Sequence, residues 1–223
     1  MANTRTLRRR IRGVQNTAKI TKAMEMVASS KMRKAQERGL AGRPYTAKIE
    51  QVIANLAELK HTDGEIHPLL KTRPVKKIAI VHITPDRGFS GGLDSNLNRK
   101  TSSFILQQEI PATLVLVGKR GIDYMRRYGR EIRAEFSKLG DKPTLIDTLP
   151  ISRIVIDDYS NGLVDMVYLV YARFINTMRQ VPEIYQLLPV VPAESSKGKI
   201  ADYIFEPNPQ AVMDRLLPRF IES

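Results

Sequence analysis

The first 59 residues carry a helical pattern that is too long for one globular domain. Asn3 and Thr4 can cap a helix, and Gly13 is the only glycine or proline before Gly39. A helix from this cap to Leu59 would be roughly 80 Å long at about 1.5 Å per residue. A small domain cannot cover such a length, so the pattern predicts a helix that needs a partner.

Apolar residues recur every three or four positions along this helix. They form three sets: Leu7, Ile11, Val14 and Ala18; then Ile20, Met24 and Val27 after a shift in register; then Tyr45, Ile49, Val52, Leu56 and Leu59. This spacing is typical of a coiled-coil seam, and the shift indicates local unwinding. Gly39, Gly42 and Pro44 are expected to kink or break the helix.

The positive charge of the chain is concentrated in the same segment. The net charge is +13, and residues 1–38 contain eleven Lys or Arg against Glu25 and Glu37, which leaves +9 there and +4 in the remainder. Such a distribution favours an acidic partner: nucleic acid, an anionic membrane or an acidic protein surface. Met24, Met26 and Met32 fit either an adaptable binding face or ordinary helix packing.

After residue 74 the pattern changes to strands that alternate with helices. Strand patterns cover residues 77–84, 112–118, 131–136, 166–174, 183–191 and 202–205; helical patterns cover 93–108, 119–128, 152–163 and a last helix that Asn208 caps and Pro209 begins. Alternation of this kind predicts an α/β fold, a Rossmann-like, mostly parallel sheet domain beside the long N-terminal coiled-coil helix. The expected domains are a helix over 1–60, a linker over 61–74, an α/β domain over 75–206 and the start of a C-terminal helix over 207–223.

Several classes of protein are excluded or disfavoured by composition. The chain has no cysteine, so it cannot form a disulfide or a thiolate metal site. No apolar run approaches the 20 or so residues that a membrane span requires, and no apolar stretch follows the basic N-terminus as in a secretory signal.

One glycine-rich loop, residues 86–96 (DRGFSGGLDSN), lies between a predicted strand and a predicted helix, where α/β proteins often hold phosphates. It matches neither the dinucleotide-binding pattern nor a Walker loop, so we expect a structural turn rather than a nucleotide site.

Other candidate residues do not match a known metal-binding or catalytic arrangement either. His61, Asp63, Glu65 and His67 form a cluster whose spacing suits no metal geometry. His82 lies within an apolar strand and is expected to be a hydrogen-bonded core residue. Asp157 and Asp158 are adjacent, so on a helix they point about 100° apart and do not form a carboxylate pair. No arrangement of Ser, His and Asp predicts a catalytic site.

Several stretches are similar to the γ subunit family of bacterial F-type ATP synthases. The resemblance is strongest in residues 11–36 (IRGVQNTAKITKAMEMVASSKMRKAQ), and it recurs at 43–45 (RPY), 86–96, 164–178 (VDMVYLVYARFINTM) and 203–207 (YIFEP). Phe89 and Ser90 replace the commoner Leu-Cys of that family. The family continues past residues 216–223 into a second long helix that pairs antiparallel with the first, so most of that helix is expected to be absent here. The cysteine-containing insertion of chloroplast members is absent too.

This resemblance implies a non-catalytic, mechanical role. Members form the rotor of the central stalk on the cytoplasmic face of the bacterial plasma membrane, and their partners are the α and β subunits, the ε subunit and the c-ring. They hold no cofactor or metal, since ATP is bound on β. By resemblance, the residues that contact β are Lys19, Lys22, Met24, Met26, Lys31, Arg33, Lys34 and Arg38, and those that contact the c-ring are Tyr203 and Glu206.

Two other functions remain open from the sequence. A nucleic-acid-binding α/β protein with a basic helical arm would make phosphate contacts, although no nucleic-acid motif is present. A nucleotide-dependent enzyme would use the loop at 86–96, which its motif chemistry disfavours.

Overall fold

The computed structural model describes residues 3–59, 67–128, 130–140, 142–191, 206 and 208–222. The chain divides into two compact units, Met1–Lys48 and Ile49–Ser223. The first helix, α1 (Thr4–Leu59), supplies the first unit and the beginning of the second.

Of the kink or break expected at Gly39, Gly42 and Pro44, the break is wrong, because helix α1 continues through all three. Gly39, Gly42 and Pro44 all lie within the α-helix. Pro44 removes the amide that would bond to the carbonyl of Leu40, but Leu40 is about half exposed (52%), so water can reach that carbonyl. Ala, Arg and Lys residues on both sides favour helix and oppose interruption.

Five strands form the sheet of the second unit. They are β1 (Ile78–Ile83), β2 (Ala112–Val117), β3 (Glu131–Phe136), β4 (Met166–Asn176) and β5 (Arg179–Leu188). Their order is β3-β2-β1-β4-β5, and every neighbouring pair is parallel except β4 and β5. The mostly parallel α/β fold that the sequence predicts is therefore confirmed. Strand β5 begins at Arg179 rather than 183, because only Thr177 and Met178 separate it from β4 and so short a connection joins antiparallel strands.

Helices cover both faces of this sheet. They are α2 (Leu93–Gln107), α3 (Lys119–Met125), α4 (Leu145–Ser160) and α5 (Pro209–Glu222), with 3-10 turns at Pro68–Leu70 and Arg126–Tyr128. Helix α4 starts at Leu145 rather than 152. The amide of Thr144 donates to the Asp147 carboxylate at 2.7 Å, and this capping box fixes the earlier start.

The core has two layers, one on each face of the sheet. Alternate residues of β1 and β2 point to opposite sides, as in any strand. Ile80 and Leu116 pack with α2 and α3, whereas Val81 and Val115 pack with α4, α5 and the part of α1 that begins at Ile49. The predicted strand at 202–205 falls outside the described residues.

Leu56 and Leu7 provide a matched pair of leucines on the same helix. Leu56 is fully buried in the core layer that contains α5, and Leu7 is 52% exposed. We expect Leu56→Ala to lower the free energy of unfolding of the second unit by about 2 to 5 kcal/mol, and Leu7→Ala to change it by less than about 0.5 kcal/mol. Urea denaturation followed by tyrosine near-ultraviolet circular dichroism measures both. Equal losses would show that the two leucines are buried alike.

Candidate functional site

The first unit exposes two short apolar stripes in succession along α1, which we together call the exposed seam. It consists of Leu7, Ile11, Val14, Ile20, Met24 and Val27, whose exposed fractions range from 49% to 69%. At about 100° per residue, Leu7, Ile11 and Val14 lie on one side of α1, and Ile20, Met24 and Val27 lie on roughly the opposite side one turn and more farther along. Single exposed apolar residues are common, but three at helical spacing form a short apolar stripe that favours contact with a partner. The exposed seam is therefore the candidate interaction surface of this unit.

The seam that the sequence predicts farther along α1 is divided between water and core. Tyr45 is exposed, whereas Ile49, Ile53 and Leu56 are buried against the layer that contains α5. Val52 is only half-buried and so does not lie at the centre of the buried face. The side chain of Leu59 falls outside the described residues. Sequence reasoning missed Ile53, although 49, 53 and 56 keep the same four-three spacing. The buried face of this segment is thus centred on Ile53 rather than Val52, and its partner is the second unit itself.

Four basic side chains at the start of α1 lie opposite the first stripe of the exposed seam. Successive residues turn by about 100°, so Arg5, Arg8, Arg9 and Arg12 point away from Leu7, Ile11 and Val14. All of these side chains are exposed. This part of the helix therefore offers an apolar side and a positively charged side.

The six cations predicted to contact β do not form one compact patch. Lys19, Lys22, Lys31, Arg33, Lys34 and Arg38 are all exposed on α1. They extend over about 28 Å of the helix axis and about half of its circumference. Met24 and Met26, both more than 60% exposed, lie on sides about 160° apart. We call the six cations the basic set.

Two ion pairs lie within this region. Lys22 Nζ is 3.0 Å from Glu25 Oε2, and Arg33 Nε is 3.1 Å from Glu37 Oε1. All four side chains are more than 60% exposed, so each pair contributes little to stability. The two acids of the segment are thus engaged within the helix, and the excess of +9 remains for a partner.

The predicted c-ring contacts are only partly within the described chain. Tyr203 falls outside it, and Glu206 is exposed. Two residues later, Asn208 Oδ1 accepts a hydrogen bond from the amide of Ala211 at 2.8 Å, which confirms the predicted cap of the last helix.

The glycine-rich loop serves as a structural turn. Asp86 Oδ1 accepts from the Lys119 amide at 2.9 Å, and Asp86 Oδ2 accepts from the Lys138 amide at 2.8 Å. The guanidinium of Arg120 pairs with Asp94 at 2.9 Å and holds the pKa of that carboxyl below its usual range. These contacts tie the loops after β1, β2 and β3 together.

Gly118 follows β2 with a φ of 94°, and an added Cβ would lie 1.9 Å from the Thr84 carbonyl oxygen. No other residue fits there without a shift of the backbone.

His82 is a hydrogen-bonded core residue, as predicted. Its Nε2 lies 2.8 Å from Asn98 Oδ1, its Nδ1 lies 3.0 Å from Thr101 Oγ1, and the side chain is fully buried. Burial lowers the pKa of the imidazole, because the charged form loses its hydration. The bonds fasten α2 to β1.

The other candidate residues that the structure describes form contacts within the fold. Asp158 is buried and forms a two-bond ion pair with Arg133 at 2.9 and 3.0 Å, while Asp157 is exposed, so the two do not form a carboxylate pair. His67 accepts the Leu69 amide at Nδ1, 3.1 Å away. His61, Asp63 and Glu65 fall outside the described residues. Within the described ranges, no three potential ligands are placed to hold a metal, and no helix is long and apolar enough to cross a bilayer.

His82 gives a prediction about pH. Its pKa in the fold lies below the unfolded value of about 6.5, so the unfolded chain binds more protons as the pH falls through that value. We expect the free energy of unfolding to fall by up to about 2 kcal/mol more between pH 7 and pH 5 in this protein than in His82→Gln. Urea titrations at both pH values measure the difference, and equal losses would contradict it.

Comparisons with known proteins agree with the resemblance noted in the sequence. The family model described as ATP synthase matches residues 3–223. The ATP synthase gamma chain of Dehalococcoides mccartyi strain CBDB1 is 56% identical over 222 residues, which are all of this chain and 78% of that relative. The gamma chain of Moorella thermoacetica is 46% identical with the same coverage of both chains.

The fold has a counterpart among solved structures. A chain in the cryo-EM structure of the central stalk and c-ring of the Tetrahymena thermophila mitochondrial ATP synthase aligns with a TM-score of 0.67 at 20% identity, over 91% of this chain and 88% of that one. At such an identity the likeness concerns the fold. Together with sequence identities of about half over the whole chain, it shows that this chain belongs to the family of ATP synthase gamma chains.

Proposed function

We propose that this chain is the rotor subunit of the central stalk of an F-type ATP synthase, which couples proton-driven rotation of the c-ring to ATP synthesis and hydrolysis on the β subunits. The observation that carries the proposal is the first unit: a helix that exposes an apolar seam and a basic surface, in a chain of the gamma family. The role is mechanical, and the nucleotide chemistry belongs to β.

The proposed mechanism is differential contact. Helix α1 lies inside the hexamer of α and β subunits and presents different sides to successive β subunits as it turns. A contact that is more favourable with one β conformation than with another shifts the equilibrium between them by that difference in free energy. No covalent step on this chain is needed.

The distribution of the basic set suits such a mechanism. Its six cations occupy about half of the circumference of α1, so the number that face a fixed acidic surface changes as the helix rotates. A ring of charge that was uniform around the axis would give the same contact energy at every angle. Met24 and Met26 lie among these cations, and their unbranched side chains can adapt to changing neighbours.

The second unit would form the lower contacts. Its exposed Glu206, with Tyr203 nearby in the sequence, would face the polar loops of the c-ring, and the same unit would bind the ε subunit. The chain would thus be a peripheral component on the cytoplasmic face of the bacterial plasma membrane. Bacterial relatives at about half identity support this placement.

Charge reversal tests the β contact. We expect Lys22→Glu, Lys31→Glu and Lys34→Glu together to lower the number of protons pumped per ATP hydrolysed when the chain is assembled into ATP synthase in inverted membrane vesicles. The reason is that like charges brought together at an interface oppose the contact. ATP hydrolysis and acidification are measured on the same vesicles.

The control changes the net charge equally at exposed cations of the second unit, Lys76→Glu, Lys100→Glu and Arg127→Glu. This control separates a local contact on α1 from a general effect of charge. If the α1 variant assembles and pumps as many protons per ATP as the unaltered complex, the basic set does not make the proposed contact.

A further inference from the structure

A cavity lies at the carboxyl edge of three parallel strands in the second unit. The loops that follow β1, β2 and β3 border a cavity of about 570 Å³, lined by residues 83–87, 117–118, 138–140 and 143. Open α/β sheets bind ligands at this edge, and a volume of this size is within the range of small-molecule sites. All of its lining residues belong to the second unit.

Part of the cavity wall is apolar and reaches water. Ile83 is the last residue of β1 and is 39% exposed, although the five residues before it in the strand are buried. Leu139, Pro85 and Pro143 complete this wall. Covering such a surface with an apolar group is favourable in proportion to the area removed from water.

Two cations line the same cavity. Arg87 and Lys138 are exposed, and neither side chain has a hydrogen bond or an ion pair with a described residue. The third charged group, Asp86, already accepts the amides of Lys119 and Lys138 on its two oxygens. Its carboxylate is therefore engaged with the backbone, and the described residues that line the cavity carry a net positive charge.

We propose that this cavity binds a small organic anion, with an apolar body against Ile83 and Leu139 and a phosphate or carboxylate group between Arg87 and Lys138. Guanidinium and ammonium groups bind both kinds of anion, and the apolar wall selects anions that carry a hydrocarbon portion. The lining includes Asp86 and Arg87 from the start of the glycine-rich loop, but none of residues 88–96 at the amino end of α2.

Three probes separate the two halves of this site. Phenyl phosphate carries both features, inorganic phosphate lacks the apolar body and phenol lacks the charge. Each is titrated into the full chain while the methyl signals of Ile83 and Leu139 are followed by NMR. We expect phenyl phosphate to shift both methyl signals and to bind at least about tenfold more tightly than either of the other probes.

Variants of the cations test the assignment. Arg87→Gln with Lys138→Gln removes both charges from exposed positions, so the fold is expected to persist, and backbone amide spectra verify it. This variant is expected to lose at least about tenfold in affinity for phenyl phosphate, to the level of phenol. The control Lys100→Gln, on the exposed side of α2 and outside the cavity, is expected to bind normally.

Three outcomes would overturn the proposal. One is the absence of any shift of the Ile83 and Leu139 methyl signals with phenyl phosphate. Another is equal affinity for phosphate and phenyl phosphate, which would leave the apolar wall without a role. The third is unchanged binding in the folded double variant. None of them tests the rotor function, which is argued from the first unit.

Discussion

Burial against a partner decides how stable each part of α1 is. The same helix contains Leu7, which is half exposed, and Leu56, which is fully buried in a core layer of the second unit. A helix in water gains little from propensity alone, and most of its stability in proteins comes from packing of one face. The first unit is consequently a surface that needs a partner, whereas the segment from Ile49 onward already has one in α5 and the sheet.

Charge determines which partner suits that surface. A second copy of the same helix would bring together two segments of net charge +9, and like charges at close range oppose association. An acidic protein surface meets both requirements of α1, since it can approach the basic set while the exposed seam packs against apolar residues. In the proposed position, a hexamer of other subunits would provide this environment.

Several hydrogen bonds and a cation–π contact stabilise the second unit, from which α1 extends. Tyr159 donates a hydrogen bond to the Lys71 carbonyl at 2.7 Å, and the guanidinium of Arg73 lies 4.5 Å from the centre of the Tyr159 ring. Burial raises the pKa of the Tyr159 hydroxyl, so it remains a neutral donor. With His82 and Asp86, these contacts join loops and helices to the sheet at several separate points.

The sequence predicts the fold well where one short pattern decides the outcome. Alternating buried strands and helices give the parallel sheet, and an apolar environment identifies His82 as a core residue. The sequence predicts the fold poorly where distant contacts or competing local preferences determine an element. The start of α4 depends on the Thr144 capping box, and α1 continues through Pro44. The candidate surface was recognisable because its apolar and basic residues are regular in sequence. The cavity was not, because its walls come from three loops that only the fold brings together.

Amide hydrogen exchange on the isolated chain, at a concentration where sedimentation shows a monomer, tests the central claim that the first unit depends on a partner. The account predicts that amides from Leu7 to Val27 exchange at least about 100-fold faster than those of Ile53 and Leu56, which share the protection of the second unit. Equal protection along α1 in a proven monomer would show that the helix needs no partner, and it would contradict the account.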